Sequence, residues 1–106
     1  MTTFLFTYRP PKGYVPGGEA MDAWTAWFAE LGDHIVDPGN PVFERTTIGD
    51  CGTEIAPLGG YSVITADDLD SAVTLAKGCP VLSRGGGVEV GVITNVDDML
   101  PAEGRS

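Results

Sequence analysis

The chain has 106 residues and a mass of 11.1 kDa, enough for one domain and too little for two ordinary cores. Hydrophobic residues make up 42% and charged residues 20%, with a mean hydropathy of +0.06, which excludes a disordered or fibrous chain. Fifteen acidic residues against six basic ones give a formal charge of −9 and a pI near 4.2, so phosphate repels the chain, and neither nucleic acid nor an anionic membrane is an expected partner.

The apolar runs are a few residues long, far short of the ~20 that a membrane-spanning helix needs. The first eight residues lack the basic and apolar regions of a signal peptide. Cys51 and Cys79 are far apart in sequence and match no metal or redox spacing. They read as two free thiols, with the cytoplasm as the expected compartment.

In chain order, residues 3–8 are aromatic and β-branched and predict a first strand, with Phe4, Phe6 and Tyr8 on one face and Leu5 on the other. Residues 12–18 carry Gly13, Pro16, Gly17 and Gly18 and read as a loop. A helix is expected over residues 19–31. Its apolar stripe is Met21, Trp24, Phe28 and Leu31, widened by Trp27, and Gly32 is the stop. Residues 34–36 begin a second strand, which Pro38 and Pro41 interrupt because proline cannot donate to a ladder. Residues 42–43 and 46–48 are expected to resume extended structure, and residues 49–59 to form a turn or longer loop. A further strand covers residues 60–65.

The second helix is expected to start from Asp67 as N-cap, with Leu69, Ala72, Val73 and Ala76 as its buried stripe and Gly78 as its stop. Gly85, Gly86 and Gly87 lead into a last strand at residues 88–93, where Val88, Val90 and Val92 share one face and Glu89 points to the other. The glycines precede a strand and lack the lysine of a phosphate loop, so their expected job is turn geometry. Residues 1–94 form the expected domain, and residues 95–106, without periodicity, a mobile tail.

The order β-α-β-β-α-β predicts an α+β, ferredoxin-like fold, with one antiparallel sheet and two helices on one face. The uncovered face carries residues too apolar for water, which predicts a homodimer with sheet packed on sheet.

The stretches Leu58-Gly59-Gly60-Tyr61-Ser62-Val63-Ile64 and Ala66-Asp67-Asp68-Leu69-Asp70-Ser71-Ala72 resemble the YCII-related, or DGPF-domain, family. So do Ala76-Lys77-Gly78-Cys79-Pro80 and Gly86-Gly87-Val88-Glu89-Val90, and the Asp37-Pro38-Gly39-Asn40-Pro41 turn behind a tryptophan-bearing helix. The resemblance covers residues 2–94 and implies a dimeric α+β barrel. The wider fold group includes cofactor-free monooxygenases, isomerases and dehalogenase-like enzymes. Enzyme-like members carry a histidine on the first helix, whereas here that helix has none and Asp22 lies near its place. The DGPF tetrapeptide is also missing, with Gly49-Asp50-Cys51-Gly52-Thr53-Glu54 ahead of the strand instead. The family's histidine chemistry therefore does not carry over.

His34, the single histidine, has an ordinary pKa near ~6.5 and is the natural acid/base candidate. Asp37 can join it only if the proline turn bends the chain back, because odd spacing in a strand puts the two on opposite faces. Glu89 is a candidate for substrate binding if its face lines a dimer interior, and otherwise an ordinary strand carboxylate paired with Arg9 or Arg84. Tyr8 and Tyr61 are candidates for lining a ligand cavity, while Trp24 and Trp27 read as helix core. Cys79, behind a helix C-terminus, reads as structural. No metal site and no cofactor are expected. Two functional readings remain: a small-molecule binding protein with its pocket at the sheet face or dimer interface, or a cofactor-free isomerase, lyase or monooxygenase-like enzyme using His34, Asp37 or Glu89. A non-catalytic interaction module is a third.

Overall fold

In the computed structural model, which describes residues 1–11, 13, 17–51 and 57–99, six principal elements follow in the expected order. They are β1 (Thr2–Arg9), α1 (Gly18–Leu31), β2 (Ile35–Asp37), β3 (Gly60–Ala66), α2 (Leu69–Ala76) and β4 (Gly87–Val92). The strands form one sheet in the order β2-β3-β1-β4, with every neighbouring pair antiparallel. This is the ferredoxin-like α+β architecture that the element order predicts, because each helix carries the chain back across the sheet and leaves one strand's width between the strands it joins. The loop expected at residues 12–18, the one at 49–59 and the tail from 95 lie in part outside the described residues.

Strand alternation sets the two faces. Phe4, Phe6 and Tyr8 of β1 and Ser62, Ile64 and Ala66 of β3 are buried under the helices. Val88 and Val90 of β4 are half-buried against the same core. The opposite face carries Thr3, Leu5 and Thr7, which pair with Thr65, Val63 and Tyr61.

Helix α1 packs through Ala20, Trp27 and Leu31. Trp27 is the keystone: its ring lies 6.3 Å from Phe6 in a stacked arrangement and 5.9 Å from Tyr8 edge to face, and its indole N–H donates to Leu75 O at 3.2 Å. That bond satisfies a carbonyl in the last turn of α2, so one side chain ties both helices to the sheet. Gly78 is small for the same reason, since a Cβ there would stand 3.1 Å from the Trp27 indole. Gly78 directly follows the C-cap Lys77, so α2 stops where expected, with the glycine's φ not positive. Gly32 does end α1 with a φ of 52°. Gly85 turns the chain with a φ of 83°, and a Cβ at Gly86 would meet Val81 and Arg9 O, so these glycines serve turn geometry and close approach.

Several local expectations are corrected. Asp68, one residue later than expected, caps α2: its carboxylate accepts the Ser71 N–H at 2.8 Å, with Asp68 in the extended conformation that an N-cap requires. Leu69 and Met21 are about half exposed, because each stands at the flank of its helix stripe and not at its centre. His34 ends a short 3-10 turn, Gly32–His34, and β2 begins only at Ile35. Residues 43–48 form no strand. Instead the edge ribbon ends with a kink: the register slips between Ile35 and Asp37, Pro41 bridges Gly60, and Val42 N donates to Gly59 O at 3.0 Å. Residues 35–42 are thus one bulged ribbon along β3, with the prolines at the sheet edge where a missing N–H costs little.

Candidate functional site

The bulged ribbon stands away from α1 and leaves a cavity of about 500 Å³ at the end of β1. Its wall on one side is the flank of α1, formed by Met21, Trp24 and Phe28. Across from it are residues 38–43 and 57–61, with Tyr8 and Tyr61 both on the lining. Trp24 meets Tyr8 edge to face at 4.7 Å, and Trp24 and Phe28 lie 5.8 Å apart, so the aromatic wall is packed and pre-formed.

A hydrogen-bonded chain fixes the opposite wall. Tyr8 Oη donates to Ser62 Oγ at 2.8 Å, and Ser62 Oγ donates to Pro38 O at 2.6 Å. Ser62 is fully buried, so this chain is how the core satisfies a polar residue while pinning the turn. Burial raises the Tyr8 phenol well above its ordinary pKa, and the Ser62 bond opposes that only in part. Tyr8 is therefore a neutral hydroxyl at physiological pH and not a base. Gly39 has a φ of 75° and packs so tightly over the Tyr61 carbonyl that a Cβ would overlap it. Asn40 Nδ2 donates to Tyr61 Oη at 3.3 Å. Arg45 borders the cavity with Nη1 bonded to Val42 O at 3.1 Å and Phe43 O at 2.9 Å.

His34 and Asp37 are not brought together. His34 Nδ1 lies 2.8 Å from Thr65 O, and Thr65 Oγ1 donates back to His34 O at 3.2 Å. Asp37 Oδ1 accepts the Gly39 N–H at 2.8 Å and holds the turn. Glu89 is on β4, at the far edge of the sheet from β2, three strand spacings or about 14 Å away. Its carboxylate is 71% exposed, accepts from Thr7 Oγ1 at 3.3 Å and lies 3.8 Å from Arg9. Cys79 is buried, and burial pushes its thiol up to about 11, leaving it protonated and unreactive at neutral pH. Cys51 is exposed. Among the described residues, no group of three or more His, Cys, Asp or Glu side chains could hold a metal ion.

The chain is similar in fold to 5-chloro-2-hydroxyhydroquinone dehydrochlorinase from Burkholderia phenoliruptrix AC1100. That enzyme was solved in complex with 2,5-dihydroxybenzoquinone; the match has a TM-score of 0.55 and 20% identity over 82% of this chain and 90% of the enzyme. No family model matches the chain, and no curated protein matches it. At this identity the likeness establishes the α+β fold and leaves the chemistry to the site itself.

Sequence reasoning did not assemble this cavity. Trp24 reads from its spacing as core, yet it forms the wall, and Arg45 carries no periodic or motif signal at all. The one local signal is the clustering of Pro38, Gly39 and Pro41, which marks a bend without showing what the bend faces. Among the described residues, no helix is long and apolar enough to cross a membrane.

Proposed function

We propose that this chain binds a small, largely apolar molecule in the cavity between α1 and the bulged edge ribbon, and that it acts as a homodimer paired through the open sheet face. The cavity carries the reading. Its volume of about 500 Å³ suits a drug-sized ligand, and its aromatic walls are held in place by packing and by the Tyr8–Ser62–Pro38 chain. A protein of the same fold holds a single-ring compound, which agrees with a ligand of this size class. The resemblance of residues 58–72 and 76–90 to the YCII-related family is in keeping with the same fold.

The acid/base reading has less behind it. His34 and Asp37 are each committed to different backbone partners, and Glu89 sits on the opposite edge strand. Tyr8, the polar group held deepest at the cavity, stays protonated. Binding without catalysis is the reading that uses the residues where they stand.

Intrinsic fluorescence tests it, because Trp24 is in the cavity wall and Trp27 directly behind it. A panel of one- and two-ring aromatic compounds is expected to include members that change the emission saturably, and Val42→Phe, which narrows the cavity without adding an indole, is expected to weaken that response. A panel without one saturable response overturns the proposal.

A further inference from the structure

We infer that the ligand of this cavity carries an anionic group, a carboxylate or an acidic phenolate attached to an aromatic ring, which Arg45 recognises at the cavity mouth; this inference rests on the binding reading above. The chain has 15 acidic residues, yet among the described residues none of them borders the cavity. Arg45 is the one charged residue among the described residues that line it. A lining without carboxylates removes the groups that would repel an anion at short range.

The guanidinium is also positioned in advance. Both hydrogens of its Nη1 are engaged by the Val42 and Phe43 carbonyls, which hold the fork in place. Its Nε and Nη2 hydrogens have no acceptor among the described residues, and no carboxylate pairs with it. Such a fork matches the geometry of a carboxylate, and local anchoring lowers the entropy lost on binding. The lining therefore offers an apolar aromatic body and one guanidinium with uncommitted donors, the complement of an aryl anion.

The test is calorimetric titration of the purified protein with biphenyl-4-carboxylate and with its neutral isostere biphenyl-4-carboxamide. The carboxylate is expected to bind at least about tenfold tighter, as charge-assisted hydrogen bonds allow. In Arg45→Gln this preference is expected to fall to within about twofold. Equal affinity for the two compounds in the wild type overturns the anionic assignment and leaves the cavity reading standing. A preference that survives in Arg45→Gln overturns the role of Arg45. Heat from neither compound overturns this inference together with the reading beneath it.

Discussion

Gly39 shows how much of the site depends on single residues. Its φ of 75° disfavours any side chain, and the space a Cβ would need is taken by the Tyr61 carbonyl. Gly85 shares the left-handed conformation, with φ 83°, but has nothing within 4 Å of the added atom. The pair separates two costs that a glycine can carry. Gly85→Ala is expected to lose about 1 kcal/mol, the conformational part alone. Gly39→Ala adds the overlap, and is expected to lose about 2–4 kcal/mol and to displace residues 38–42 from β3. Urea unfolding of both variants measures the difference, and equal midpoints would refute it. Because residues 38–42 form one cavity wall, Gly39→Ala is also expected to weaken ligand binding, whereas Gly85→Ala leaves it intact.

At the scale of elements, the start of α2 is set by Asp68 and not by its neighbour Asp67. The Asp68 carboxylate accepts the Ser71 N–H, and this bond lowers its pKa below the ordinary 3.8. A carboxyl whose folded pKa is depressed stabilises the fold above the unfolded value and loses that contribution as pH falls through the folded one. The stability difference between wild type and Asp68→Ala is therefore expected to be full at neutral pH and to shrink as pH drops below 3.8. Asp67→Ala is expected to be close to neutral throughout. Thermal melts across that range decide between the two aspartates. The one-residue shift typifies what was legible in the sequence. Elements and their faces follow from local periodicity, which is why Phe4, Phe6 and Tyr8, or Ala72 and Ala76, are legible as core from spacing alone. The cavity depends on contacts that periodicity does not encode: Gly39 against Tyr61, Val42 against Gly59, and Ser62 against Pro38. Asp37 was legible as a chemical group, but its use is structural, because a carboxylate two residues before a glycine N–H is well placed to close a turn.

At the scale of the whole molecule, both helices cover one face of the sheet, and among the described residues no further layer covers the other. Across the central pair β1 and β3 that face presents Leu5 opposite Val63 and Thr7 opposite Tyr61, flanked by the threonine pair Thr3 and Thr65. The four central residues are half-buried, and their alternation with the core residues sets Leu5 and Val63 at the middle of a strip with threonines at its end. Such a strip gains most by meeting a copy of itself, since two-fold symmetry sets the same apolar centre on both sides and the threonines at both rims. Glu89 and Arg9 lie at its border as a partly exposed pair, which contributes little to stability in a single chain but can fix the orientation of a second one. Light scattering is expected to give twice the mass of 11.1 kDa. Val63→Asp places a charge at the centre of the strip without touching the helix-side core, so it is expected to yield a folded monomer with an unchanged far-ultraviolet spectrum. The cavity is formed on the helix side, by α1 and residues of the same chain. The Val63→Asp monomer is therefore expected to keep its ligand affinity within a few fold. If binding vanishes along with the dimer, the cavity walls depend on the second copy, and the site must be described as shared between two chains.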